Sequence, residues 1–120
     1  MQNLATYEGA GVHYAATAIE AQLCGGEDVV VVGGGNSAGQ AAVFLAQTAR
    51  RVHMLVRSGS LKATMSRYLI RRIEENPRIV LRTHTELIGL EGTDRLQRVR
   101  WKSHGAGESH KMAQAFIMAG

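Results

Sequence analysis

A three-layer α/β domain, with a short parallel sheet, flanking helices and a β-meander on one side, is predicted by three observations. Four valines, Val29 to Val32, run without alternation; a glycine turn, Gly33-Gly34-Gly35-Asn36-Ser37-Ala38, follows at once; and beyond Thr83 the pattern changes to short strand-like segments joined by polar turns. An unalternating valine strand cannot be half solvated, so both of its faces are expected to be covered, as in a central parallel strand. The late segments then supply an antiparallel cover for the face that the helices leave open.

In chain order, Met1 to Glu8 reads as an entry linker and Tyr7-Glu8-Gly9-Ala10-Gly11 as a loop. Val12 to Leu23 is rich in alanine and has no breaker, which predicts a first helix ended by Cys24-Gly25-Gly26-Glu27. Asp28 to Val32 is the first strand. Ala42, Val43, Leu45, Ala46 and Ala49 recur at helical spacing, so a second helix is expected from about Asn36 to Arg50. Arg51 to Val56 reads as the second strand, placed roughly 20 residues beyond the turn as a βαβ unit requires. After the loop Arg57-Ser58-Gly59-Ser60, the apolar positions Met65, Leu69, Ile70 and Ile73 predict an amphipathic helix from Lys62 to about Glu75, stopped by Asn76-Pro77. Arg78 to Leu81 is a third, short parallel strand. Thr85 to Glu91, Arg95 to Lys102 and Lys111 to Ile117 form the meander, joined by Gly92-Thr93-Asp94 and by Ser103-His104-Gly105-Ala106-Gly107-Glu108. The last strand runs into Met118-Ala119-Gly120, where a further segment is expected to begin.

The chemistry sits in the glycine turn. Its spacing is G-x-G-x-x-A: Gly33 permits the tight turn, Gly35 lets the backbone approach a pyrophosphate, and Ala38 keeps the helix close to the strand. Asn36 and Ser37 fall at the helix start, where free N–H groups and the positive end of the dipole face a phosphate. This strand–turn–helix order is Rossmann-like and predicts dinucleotide binding. The end of the second strand bears on which dinucleotide. A site for NADH usually carries Asp or Glu there, to hold the ribose hydroxyls, and that carboxylate repels a 2′-phosphate. None is present in Val56-Arg57-Ser58. Arg57 can grip a phosphate through its planar fork, Ser58 can donate a hydrogen bond and Lys62 adds a point charge, which together favour NADPH over NADH.

Composition bounds the rest. A chain of 120 residues is one domain, and short for a complete two-nucleotide oxidoreductase. Its apolar runs are far shorter than a membrane span and its N-terminus lacks a signal-peptide pattern, so a cytoplasmic location with no membrane partner is expected. The net charge of +4 invites a nucleic-acid reading. Against it, Arg67, Arg71, Arg72, Arg95, Arg98, Arg100 and Lys102 are interspersed with Glu74, Glu75, Glu91 and Asp94, and few aromatics are available to stack on bases. No nucleic-acid partner is expected. The single cysteine, Cys24, has no disulfide partner within the chain and reads as a small packed or exposed residue near a helix end.

With these elements in place, the chain resembles the NAD(P)H-binding domain of the thioredoxin reductase family. The resemblance runs from Tyr7-Glu8-Gly9 and Gly11-Val12 through the G-G-G-N-S-A string and Glu75-Asn76-Pro77 to Ile117-Met118-Ala119-Gly120. It places Gly33, Gly34, Gly35, Asn36, Ser37, Ala38 and Gly120 at the cofactor. Members that use NADPH end the second strand in His-Arg-Arg with a further arginine beyond. Here Arg57 keeps the first arginine, Ser58 replaces the second and Lys62 stands for the third. The resemblance implies a fragment of a longer FAD-dependent oxidoreductase, a homodimer at full length, in which hydride passes to FAD held by segments outside this chain.

Two departures qualify that inference. The family's redox-active C-A-T-C dithiol falls on Ala15-Ala16-Thr17-Ala18, so both sulfurs are missing and no dithiol relay is expected. The FAD-binding segments are absent as well, so the domain alone is expected to bind without turnover, the electron acceptor being undefined. An NADH-using domain of the same class and a non-catalytic nucleotide-sensing module remain alternatives.

Other combinations point to packing rather than chemistry. His53 alternates within a strand, His104 and His110 lie in or beside a hairpin with no third ligand, and no metal site is expected. Glu74 and Glu75 are adjacent on a helix and diverge. Trp101 reads as hairpin packing.

Overall fold

The computed structural model describes residues 3–118. A five-stranded parallel sheet is built from β1 (Val12–His13), β2 (Asp28–Val32), β3 (Arg51–Leu55), β4 (Ile79–Arg82) and β8 (Ala115–Ile117), in the order β1-β8-β2-β3-β4. A separate antiparallel sheet, β5 (Thr85–Gly92), β6 (Leu96–Ser103) and β7 (Ala106–Lys111), lies in that order. Helices α1 (Ala18–Gln22), α2 (Asn36–Leu45) and α3 (Arg67–Glu75) complete the chain, after a short 3-10 turn at Ala5–Tyr7.

The valine run behaves as its lack of alternation requires. Val29, Val30 and Val31 are fully buried, Val29 and Val31 in the core beneath α2 and α3, Val30 in the core beneath the meander. The helix-side core holds Ala38, Ala42, Leu45, Met54, Met65 and Ile73; the meander-side core holds Leu55, Leu90, Val99 and Trp101. These are two apolar layers on either side of one sheet, the three-layer arrangement that the sequence predicts.

Several element assignments are corrected. The expected helix Val12 to Leu23 is a helix only over Ala18–Gln22, while Val12 and His13 pair with Ala115 and Phe116 as an edge strand. Val12 is buried by that pairing, and tertiary burial outweighs the helical preference of the alanines nearby. The helix starts where Thr17 and Glu20 form a capping box, the Thr17 N–H donating to the Glu20 carboxylate at 2.7 Å. Of the expected last strand, Lys111 to Ile117, only Lys111 belongs to β7, which closes the meander, while Ala115–Ile117 inserts between β1 and β2 of the parallel sheet. The reason lies in the supposed loop at Ser103 to Glu108, where His104 (φ 49°) and Gly105 (φ 86°) make a two-residue turn and leave Ala106 onward free to pair with β6.

The third correction is to the amphipathic helix. It begins at Arg67 rather than Lys62, because Ser66 caps it by accepting from the Leu69 N–H at 3.3 Å. The second helix ends at Leu45 instead of continuing to Arg50. The entry linker is not loose throughout either: Tyr7 is buried in the meander-side core.

Candidate functional site

The register of the parallel sheet brings the two candidate loops to one edge. Val32 is opposite Leu55 on one side and Ile117 on the other, so the residues after β2, β3 and β8 leave the sheet together at its carboxyl edge. In open α/β sheets that edge is where ligands bind. The Gly33 N–H donates to the Leu55 carbonyl at 3.1 Å and the Met118 N–H to the Val32 carbonyl at 2.9 Å, which pins the turn between its neighbours. Gly120 lies outside the described residues.

Gly33 has φ +142°, a conformation open to glycine, and a Cβ there would collide with the Met118 carbonyl. It would also lie 3.0 Å from the Ala38 Cβ, which shows how closely α2 approaches the turn. Gly35 is the N-cap residue of α2, with no side-chain cap and no acid in the first turn. Among the described residues no side chain caps the N–H groups at this helix start and no acid in the first turn offsets the dipole. Ser37 is exposed in that first turn, while Ala38 is fully buried.

Asn36 and Gly34 do something the glycine pattern does not reveal. The Asn36 Oδ1 accepts from the Ser66 N–H at 2.8 Å, and the Thr64 hydroxyl donates to the Gly34 carbonyl at 2.6 Å. Both bonds join the turn to the segment leading into α3. The segment that carries Arg57, Ser58 and Lys62 is thus cross-tied to the glycine turn. Thr64 and Ser66 were missed in the sequence; Ser66 could have been found as the polar residue before Arg67-Tyr68-Leu69-Ile70.

The charged candidates each have their own local partners. Arg57 is 82% exposed, and its Nε lies 3.2 Å from the Glu86 carboxylate at the start of β5. Lys62 lines a cleft of about 490 Å³ with Arg67, Ile70, Arg71 and Glu74, a group that does not include Arg57. The Ser58 hydroxyl donates to the Ser60 carbonyl at 2.9 Å, and the Ser60 hydroxyl accepts from the Lys62 N–H at 3.1 Å. Ser58 therefore satisfies its own loop rather than pointing a free donor outward, a local bond that short polar side chains favour. The loop is backed by His84, whose N–H donates to the Ser58 carbonyl at 3.0 Å. Its ring occupies the space where a Gly59 Cβ would stand, 2.7 Å from Nε2. Glu86 and His84 were missed because one opens β5 and the other lies in the β4–β5 connection, and only the tertiary fold brings that stretch beside the loop after β3.

The remaining titratable groups are packed. His53, between β2 and β4, accepts from the Arg82 Nε at 3.2 Å on Nδ1 and meets Asp28 at 3.1 Å on Nε2. Burial pushes its imidazole below the ordinary value, with Asp28 pulling the other way. Trp101 is fully buried, stacked on His110 at 4.0 Å between centroids, and Arg82 lies 5.0 Å over its ring. Cys24 is fully buried and its Sγ contacts the Glu20 carbonyl. Burial, with Glu27 and Glu20 adding, pushes its thiol up to about 11, far from thiolate chemistry.

Comparison with known proteins agrees with this architecture. The family described as pyridine nucleotide-disulphide oxidoreductase matches residues 28–105, from the valine strand through the first hairpin of the meander. The chain is 36% identical over 86 residues to a thioredoxin reductase of Mycolicibacterium smegmatis, an alignment covering 72% of this chain and 27% of that protein. It is 31% identical over 120 residues to a ferredoxin–NADP reductase 2 of Christiangramia forsetii, covering 96% and 33% respectively. The chain thus spans about a third or less of the length of these relatives. Its fold superposes on a Lactococcus lactis thioredoxin reductase in the FR conformation with a TM-score of 0.89 at 23% identity, covering 97% of this chain and 38% of that one. The chain belongs to the pyridine nucleotide-disulphide oxidoreductase family, as a domain of the thioredoxin reductase type.

Proposed function

We propose that this chain binds NADPH as the pyridine-nucleotide domain of a thioredoxin reductase-like flavoprotein, whose FAD is held by segments outside these 120 residues. The carrying observation is that the start of α2, which has no side-chain cap, and the loop carrying Arg57 follow two adjacent parallel strands at the same carboxyl edge of the sheet. The residues present fit the cofactor: N–H groups without a side-chain cap and the exposed Ser37 suit the pyrophosphate, and the exposed Arg57 guanidinium suits a 2′-phosphate. Without a Cβ, Gly33 lets the turn pack against the Met118 carbonyl, and the Thr64 hydroxyl holds the Gly34 carbonyl, so the turn is held by contacts within the chain. The family relatives include a ferredoxin–NADP reductase, which supports an NADP-type nucleotide.

When bound, the reduced nicotinamide supplies a hydride and FAD accepts it, chemistry that belongs to the cofactors. This chain's own part is to bind and orient. Its residues offer no thiol for a disulfide-exchange relay, since Ala15 and Ala18 stand at the dithiol positions and Cys24 is buried. The acceptor of the electrons is consequently expected to be met by another part of the protein.

Arg57→Ala tests the assignment. It is expected to weaken NADPH by about tenfold, the scale of a hydrogen bond to a charged group, while leaving NADH within about twofold. Isothermal titration of both nucleotides against wild type and variant measures this, and an unchanged NADPH-to-NADH ratio would refute the Arg57 site.

A further inference from the structure

The end of β3 lacks the carboxylate that an NADH site usually carries, but the fold returns one to the same place. Glu86, at the start of β5, lies on the Arg57 guanidinium through Nε at 3.2 Å. It arrives there because the β4–β5 connection runs alongside the loop after β3: the Thr85 N–H donates to the Val56 carbonyl at 3.0 Å and the His84 N–H to the Ser58 carbonyl at 3.0 Å. With its neighbours fixed by these backbone bonds, Glu86 is held beside Arg57 rather than meeting it by chance. The side chain is half exposed, so it has not been drawn into the core for packing.

We propose that Glu86 is a specificity-determining residue: it shares Arg57 with the ribose 2′-phosphate and holds the preference for NADPH down. This rests on the assignment of Arg57 to the 2′-phosphate. A 2′-phosphate carries up to two negative charges, so a carboxylate on the same guanidinium opposes it twice, by neutralising part of the cation and by direct repulsion. NADH brings no such charge, so Glu86, engaged on the Arg57 guanidinium, does not repel it. The contact is exposed and screened, so the effect is bounded at the scale of a surface ion pair. The domain is accordingly a modest discriminator, able to hold both nucleotides.

Glu86→Gln keeps the side chain's size and removes its charge. Titration of NADPH and NADH at low salt is expected to show NADPH binding about two- to fivefold tighter in the variant, with NADH unchanged. The gain is expected to shrink toward nothing when Arg57→Ala is already present, because the shared partner is gone. A ratio that stays the same or falls in Glu86→Gln, while Arg57→Ala still abolishes the preference, overturns the part given to Glu86 alone. A ratio unmoved by Arg57→Ala overturns the 2′-phosphate site and the part of Glu86 together. A gain of the same size with and without Arg57 also overturns the proposal, since it would mean that Glu86 acts without sharing the guanidinium.

Discussion

Gly33→Ala is expected to destabilise the domain by about 2–4 kcal/mol and to abolish nucleotide binding in whatever fraction remains folded. Two independent costs combine at this position. A φ of +142° is strained for any L side chain, and the added methyl would run into the Met118 carbonyl. Relief requires the turn to shift, and the turn cannot shift alone. The Gly33 N–H is bonded to the Leu55 carbonyl, the Gly34 carbonyl to Thr64 and the Asn36 side chain to the Ser66 N–H, so movement at one residue is carried to β3 and α3. Urea unfolding followed by circular dichroism measures the first effect and NADPH titration the second. Gly25→Ala makes the control, because a Cβ there meets nothing within 4 Å and its φ is not left-handed. A Gly33→Ala protein as stable as the control would contradict the geometry of the turn.

Trp101→Ala is expected to cost about 3–5 kcal/mol, the loss of a large side chain from a closed core. Trp101 is fully buried in the layer where the meander meets the parallel sheet, against His110 on one face and with Arg82 lying over the ring. Removing it opens a void beside the buried His53 and leaves the Arg82 guanidinium without its ring. Trp101→Phe separates volume from polarity. The indole Nε1 has no hydrogen-bond partner among the described residues, so phenylalanine forfeits volume and no hydrogen bond. It should therefore cost well under half of the alanine variant, and an equal cost would show a polar role for the indole that this packing does not contain.

The legible part of the fold was the part fixed by local pattern. Four consecutive valines demanded cover on both faces, and the residues after them had to turn; β2, the turn and α2 followed from those constraints alone. The misread segments were decided at a distance. Nothing local distinguishes Val12-His13 from the alanines that follow it, and their strand form exists because Ala115 and Phe116 lie alongside. Ala115–Ile117 in turn looks continuous with Lys111, yet it belongs to a different sheet, because His104 and Gly105 reverse the chain earlier than their glycine-rich surroundings suggest. The site divides in the same way. Gly33, Gly35 and Arg57 were visible in their strand–turn contexts, while Glu86, His84, Thr64 and Ser66 reach the site through tertiary contacts from later in the chain. Lys62 stands where the resemblance puts a further arginine, and it lines a cleft with Arg67 and Arg71.

The central claim is that a glycine turn and one arginine, at the shared edge of β2 and β3, make this chain an NADPH-binding domain. Titrating NADPH and NADH in parallel against the wild-type chain, at low and at physiological salt, tests it most directly. Saturable binding of both is expected, NADPH several-fold tighter at low salt, with that advantage narrowing as salt screens the Arg57 contact. Equal affinities at low salt, or binding of neither nucleotide by the folded chain, would contradict it.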